Sequence, residues 1–201
     1  MTTQVEFHFD FGSPNAYLAH KVIPEIEQRS DIKFTYVPVL IGGVFKATNN
    51  KSPMEAFGNI RNKPEYNALE TKRFIDKHGL HAFRINPFFP VNTLAIMRGA
   101  IFALEHDLGE QYIDLIYRCM WEEQLDMADP GVIGTALSEA GLPAEEIING
   151  LADPAVKKQL IDNTNASVER GNFGSPTFFI GNEMYFGKDK LRDVEEALSN
   201  G

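Results

Sequence analysis

The chain has 201 residues, 43% of them hydrophobic and 23% charged, proportions of a globular protein large enough for one full core. Its net charge of −9 speaks against nucleic acid as a partner, and no apolar run approaches the roughly 20 residues of a membrane span. The single cysteine, Cys119, excludes an internal disulfide and a thiolate-only metal site.

Residues 5–11 alternate, with Phe7, Phe9 and Phe11 on one side and Glu6, His8 and Asp10 on the other. That is the period of a strand. Gly12 then permits a sharp turn, Ser13 is a good N-cap, and Pro14 fits the first helical position, where its missing N–H costs nothing. The helix is predicted over 14–29, kinked at Pro24, and a second strand over 32–39. A strand–helix–strand unit of this length implies a parallel pair with a right-handed crossover. With no basic segment ahead of the first strand, the expected compartment is the cytoplasm.

After Gly42 and Gly43, residues 44–64 show no clear period and are expected to form an irregular connection with one short helix. It carries Lys46, Asn50, Arg61 and Lys63. Helical spacing returns over 65–78. Residues 80–91, rich in Phe and Pro, read as a rigid loop too apolar to be fully exposed. Helices are then predicted from Asn92 to about 106, over 110–123, from Asp129-Pro130 to Gly141, over 144–151 and over 154–170. Residues 177–180 and 183–186 read as a hairpin around Gly181-Asn182, and 189–199 as a closing helix.

Charge is unevenly spread. Residues 44–84 hold eight Lys or Arg against four acids, whereas residues 105–155 hold twelve acids against Arg118 alone. A basic segment on an acidic chain suits a small anionic ligand, and equally suits a solvated helix face. The histidines have no metal-ligand or Ser-His-Asp spacing, and no metal site is expected.

Two places could carry chemistry. Ser13 would stand among free N–H groups at the positive end of a helix dipole, a setting for a thiolate or another anion and also the ordinary place of a cap. In Gly174-Ser175-Pro176-Thr177, a proline directly precedes a strand, where a cis X-Pro turn would sit. This order of elements is that of an α/β thioredoxin-like fold, with a sheet domain at 1–41 and 171–201 and an all-α insertion at 42–170.

The chain resembles the DsbA-like branch of that fold. Within it, it resembles the 2-hydroxychromene-2-carboxylate isomerases and their relatives, the kappa-class glutathione transferases. The likeness is carried by Asp10-Phe11-Gly12-Ser13-Pro14, Gly42-Gly43-Val44-Phe45-Lys46 with Asn49-Asn50-Lys51, Pro90-Val91-Asn92-Thr93, Phe173 to Phe179, and Phe186-Gly187-Lys188-Asp189. Dithiol exchange is excluded on chemistry, because Ser13-Pro14-Asn15-Ala16 stands where a Cys-x-x-Cys would be needed.

The resemblance implies glutathione as cofactor, with Ser13 donating its hydroxyl to the bound thiolate. It implies contacts from Asn50, Lys63, Ser175, Pro176, Asp189 and Lys190, Ser175 through its main chain. Asp189 is open to two readings, as an N-cap or as the partner of an α-ammonium. Lys46 and Asn92 are candidates for an aromatic carboxylate substrate, and Asn92 equally for a helix cap. Trp121 and the 83–89 loop are candidate aromatic walls, or core. The activity implied is a glutathione-dependent cis–trans isomerisation, in a homodimer. Two alternatives stand beside it, a transferase joining glutathione to electrophiles and a redox-inactive module that binds peptides.

Overall fold

A computed structural model describes residues 4–199, so residues 1–3 and 200–201 of the expected sheet domain lie outside the described residues. Val5–Phe9 (β1) pairs parallel with Phe34–Pro38 (β2) and antiparallel with Thr177–Ile180 (β3). That strand pairs antiparallel with Glu183–Phe186 (β4), giving the order β2-β1-β3-β4. Pro14–Ser30 (α1), with Pro24 inside it, makes the crossover between the parallel strands.

β1 ends two residues before the alternating pattern does. Asp10 turns the chain instead, its carbonyl accepting from Ser13 N–H at 3.0 Å and its carboxylate from Gly12 N–H at 2.8 Å. Phe7, Phe9 and Phe11 are fully buried, packed edge-on or stacked against Tyr36, Phe178 and Tyr117. The opposite face is covered too. Pro154–Glu169 (α9) lies over it, and its Ser167 and Thr164 hydrogen-bond His8 of β1 and the Leu40 N–H.

The predicted irregular connection is mostly helical. Ile41–Thr48 (α2) includes both glycines, and Pro53–Phe57 (α3) follows, capped by Ser52. The start of α2 is fixed by distant partners, Thr164 for the Leu40 N–H and Asp10 for the Ile41 N–H. No local pattern could reveal those bonds. Lys63–His78 (α4) is next, and neither α3 nor α4 contains a buried residue.

The 80–91 loop folds over Trp121, with Phe83 and Phe89 against the indole and a cis Phe89–Pro90 bond. Leu94–Glu105 (α5), Gly109–Trp121 (α6), Pro130–Glu139 (α7) and Ala144–Gly150 (α8) complete the helical part. Their apolar faces and the sheet form one continuous core. The last helix starts later than predicted. A 3-10 turn, Lys188–Lys190, precedes Leu191–Ser199 (α10), which buries Leu191, Val194 and Leu198. Among the described residues no helix is long and apolar enough to cross a membrane.

Candidate functional site

Ser13 caps α1 with extended φ and ψ, and its Oγ accepts from Ala16 N–H at 3.2 Å. The hydroxyl donates to the Ser175 carbonyl at 2.8 Å. The residue is 5% exposed. Ser175–Pro176 is cis, so the capped helix start and the cis-proline turn face each other directly. The Asn15 and Ser175 N–H groups have no acceptor in the protein among the described residues. One such donor is expected in the first turn of a helix. Together they make a small cluster of partial positive charge around the hydroxyl.

The cluster is braced from behind by Asp10, which is fully buried. Its carboxylate holds the Gly12 and Ile41 N–H groups, each at 2.8 Å, and the Thr93 hydroxyl. One side chain thereby ties together β1, α2 and the start of α5. Burial pushes the Asp10 carboxyl above its ordinary range, against the pull of those three bonds.

A second buried network holds the cis-proline turn. Asn172 Oδ1 accepts from Gly174 N–H at 2.8 Å and from the Thr177 hydroxyl at 2.9 Å. Its Nδ2 donates to Ser167 Oγ at 2.7 Å, and Ser167 Oγ lies 2.8 Å from His8 Nδ1. The Glu6 carboxylate 2.8 Å from His8 Nε2 can only accept, so in the neutral ring Nδ1 is the acceptor and takes the Ser167 hydroxyl hydrogen. His8 therefore carries its proton on Nε2 and gives it to Glu6 at 2.8 Å. Burial lowers the His8 pKa, which keeps the ring neutral. Glu6 is held in turn by Arg170.

One predicted residue outside the turn contacts it directly, and several others are engaged with neighbours of their own. Asn50 reaches the turn, its Nδ2 donating to the Phe173 carbonyl at 2.8 Å. Lys63 packs its ammonium over Phe57, 4.2 Å from the ring centroid. Asp189 does not cap a helix; its carboxylate takes the ammonium of Lys188 at 2.7 Å. Lys190 pairs with Asp193 at 2.6 Å. Lys46 is exposed on α2, and exposed Asn92 accepts from Leu94 N–H at 3.1 Å, a capping contact one residue ahead of Thr93. Trp121 is wholly buried and donates to the Phe11 carbonyl at 2.8 Å, so it supports the site from the core.

Asp10 and Thr93 stand in the motifs that carry the family likeness but were not expected as braces of the site, and Asn172 was not expected there at all. Alternation concealed Asp10, since an acid between two phenylalanines has the period of a polar strand face. Asn172 left no local signal either. A cavity of about 540 Å³ between α6 and α7, lined in part by Leu115, Cys119 and Val132, contains none of the predicted site residues.

A parallel strand–helix–strand unit whose capped helix faces a cis-proline turn, with serine in the thiol position, defines a thioredoxin-fold protein that cannot run dithiol exchange. The chain belongs to the DSBA-like thioredoxin domain family, whose model matches residues 4–199. It is similar to the 2-hydroxychromene-2-carboxylate isomerase of Sphingobium xenophagum, 24% identical over 98% of this chain and 99% of the relative. It is also similar to human glutathione S-transferase kappa 1, 28% identical over 96% of this chain and 90% of the relative. Among solved structures, a 2-hydroxychromene-2-carboxylate isomerase superposes with a TM-score of 0.80 at 24% identity, over 98% of this chain and 94% of that one. A probable DsbA oxidoreductase from Streptomyces coelicolor superposes at 0.76 with 17% identity, covering 98% and 89%.

Proposed function

We propose that the protein is a glutathione-dependent isomerase of an aromatic carboxylic acid, of the 2-hydroxychromene-2-carboxylate type. The observation that carries this reading is the Ser13 hydroxyl, set at a helix start and 2.8 Å from the Ser175 carbonyl. Relatives bearing the isomerase name align over nearly the whole chain. Glutathione would supply a thiolate whose reversible addition to the conjugated system, with opening of the ring C–O bond, would leave a single bond free to rotate before loss of the thiolate restores the alkene as trans.

The residues present fit that cofactor. Ser13 has one hydroxyl hydrogen, so donating it to a thiolate releases the Ser175 carbonyl. That carbonyl, together with the unpaired Ser175 N–H, can then pair with an extended peptide as a strand edge does. The number of hydrogen bonds is kept. The Asn15 N–H and the dipole of α1 add positive character, which draws a thiol pKa from about 8.5 toward neutrality. Asn50 steadies the turn through Phe173, and Lys46 and Asn92 are assigned to the carboxylate of the second substrate. Pro176, Lys63, Asp189 and Lys190 are assigned to the tripeptide.

A transferase is the second reading, favoured by the 28% identity to the human kappa enzyme. Incubating the protein with glutathione and either the chromene acid or a chlorodinitrobenzene separates the two, by chromatography of the isomers and of the conjugate. Ser13→Ala should lower turnover by about a hundredfold, the effect of removing one donor from a developing or bound anion. Full activity in that variant, or no activity with either substrate, overturns the enzymatic reading in favour of a peptide-binding module. The same reading carries a cytoplasmic homodimer. Exposed Met54, Phe57, Ile60, Tyr66 and Leu69 on and between α3 and α4 support an interface there.

A further inference from the structure

Arg98 lies in the middle of α5, half-buried. Its Nε is sealed from solvent without a hydrogen-bond partner. Among the described residues no carboxylate, carbonyl or ring face holds its two Nη atoms either, and these stay within reach of solvent. Other cations drawn in from the surface are held, Lys188 by the Asp189 carboxylate and Lys63 by the face of Phe57. Acids are not scarce, since the chain has 28. A buried donor left open is unfavourable, and one that persists marks a place for a partner from outside the chain.

The fold shows where that partner would sit. The Thr93 hydroxyl, at the start of α5, bonds Asp10, which holds the Ile41 N–H. The neighbouring Leu40 N–H is held by Thr164, in the second half of α9. At the other end of α5, Phe102 packs on Gly150, just before α9 begins at Pro154. The two helices therefore run antiparallel, and Arg98 falls midway along their seam, one turn from half-buried Leu94 and Phe102. Lys157, near the same level of α9, is half-buried too, and its ammonium has no counter-charge among the described residues. Of the acids flanking it in sequence, Asp153 caps α9 and Asp162 takes Lys158.

We propose that Arg98 anchors a ligand site in the seam between α5 and α9, for a small carboxylate with an apolar body. The Nε–H and one Nη–H lie parallel on one edge of the guanidinium, at the spacing of the two oxygens of a carboxylate. Leu94 and Phe102 of α5, with the buried Val156 and Leu160 of α9, supply apolar surroundings for the rest of the molecule. A phosphate dianion is disfavoured, because shedding the water around two charges costs more than around one. The site lies more than a turn along α5 from Thr93. The inference goes beyond the thiol reading of Ser13 and stands without it.

NMR titration of the isotope-labelled protein, without glutathione, reads this from the arginine Nε–H resonances, Arg98 being assigned by its loss in Arg98→Gln. Sodium benzoate should shift the Arg98 signal saturably, with a Kd of about 1 mM or tighter. Inorganic phosphate at equal ionic strength should bind at least about tenfold more weakly. By calorimetry, Arg98→Gln should lose about tenfold or more in benzoate affinity, and Arg98→Lys, which keeps the charge but not the paired donors, nearly as much. Lys157→Gln should lose about two- to threefold. No saturable shift of the Arg98 signal overturns the proposal, as does unchanged benzoate affinity in Arg98→Gln or phosphate binding as tight as that of benzoate. If Arg98→Gln does not fold, Arg98→Lys serves for both the assignment and the affinity. Turnover plays no part, so failure here leaves the isomerase reading standing, and failure of that reading leaves this site.

Discussion

Asn172 offers the sharpest test of how the site is held. It is wholly buried, and Asn172→Ala would remove the acceptor of the Gly174 N–H and the donor to Ser167. The Thr177 hydroxyl has a second acceptor, the Gly174 carbonyl at 2.9 Å, and is not stranded. The Gly174 N–H is. An orphaned buried donor costs about 1–3 kcal/mol and a lost bond about 1 more, so the variant should lose roughly 2–4 kcal/mol. For a chain of this size that lowers Tm by about 5–15 °C. Urea unfolding gives the free energy directly. Ser167→Ala should be coupled to it, with an interaction energy of about 0.5–3 kcal/mol in a double-mutant cycle. Glutathione affinity should fall with stability in Asn172→Ala, because the turn it fastens carries Ser175. A loss below about 1 kcal/mol with unchanged affinity would refute the claim that this network holds the turn.

Burial and the nearby Glu123 carboxylate push the Cys119 thiol up to about 12, so the folded native protein should resist iodoacetamide at pH 8. Ser13→Cys should then add one thiol titrating below about 8.5, the ordinary value, because it sits at a helix start; a pH series of alkylation rates reads both. The His8 pKa is lowered by burial, so below about pH 6.5 the unfolded chain binds a proton that the folded one refuses. Native stability should thus fall with acidification through that window, more steeply than in His8→Gln. Equal slopes in urea midpoints would show that His8 does not titrate against folding. Phe57→Glu should turn the proposed dimer into monomer in sedimentation, and a native monomer would remove the interface.

Most of the fold was legible in residue types and their spacing. The alternating phenylalanines of β1, the Ser-Pro and Asp-Pro helix starts at 13, 129 and 153, and the hairpin at 181–182 act through contacts a few residues apart. Local chemistry specifies them. The run from 44 to 64, expected to be irregular with one short helix, is mostly helical, since α2 owes its start to Asp10 and Thr164, respectively 31 residues before Ile41 and 124 after Leu40. Asn172 was invisible for a like reason, its meaning depending on Ser167, Gly174 and Thr177 converging behind the turn.

By itself the sequence determined that a strand must give way before Pro14 to a helix capped by a hydroxyl, and that no cysteine pair exists to make that place a redox centre. Those facts are short-range or compositional, and packing does not alter them. Only the tertiary structure decided that the Ser13 hydroxyl meets the Ser175 carbonyl, that Asp10 is sealed beneath them, and that Lys188 holds Asp189. Each joins groups whose encounter depends on how the chain packs, because a hydrogen bond or a buried charge pair is set by distance and by exclusion of water. Neither quantity is written in the order of residues.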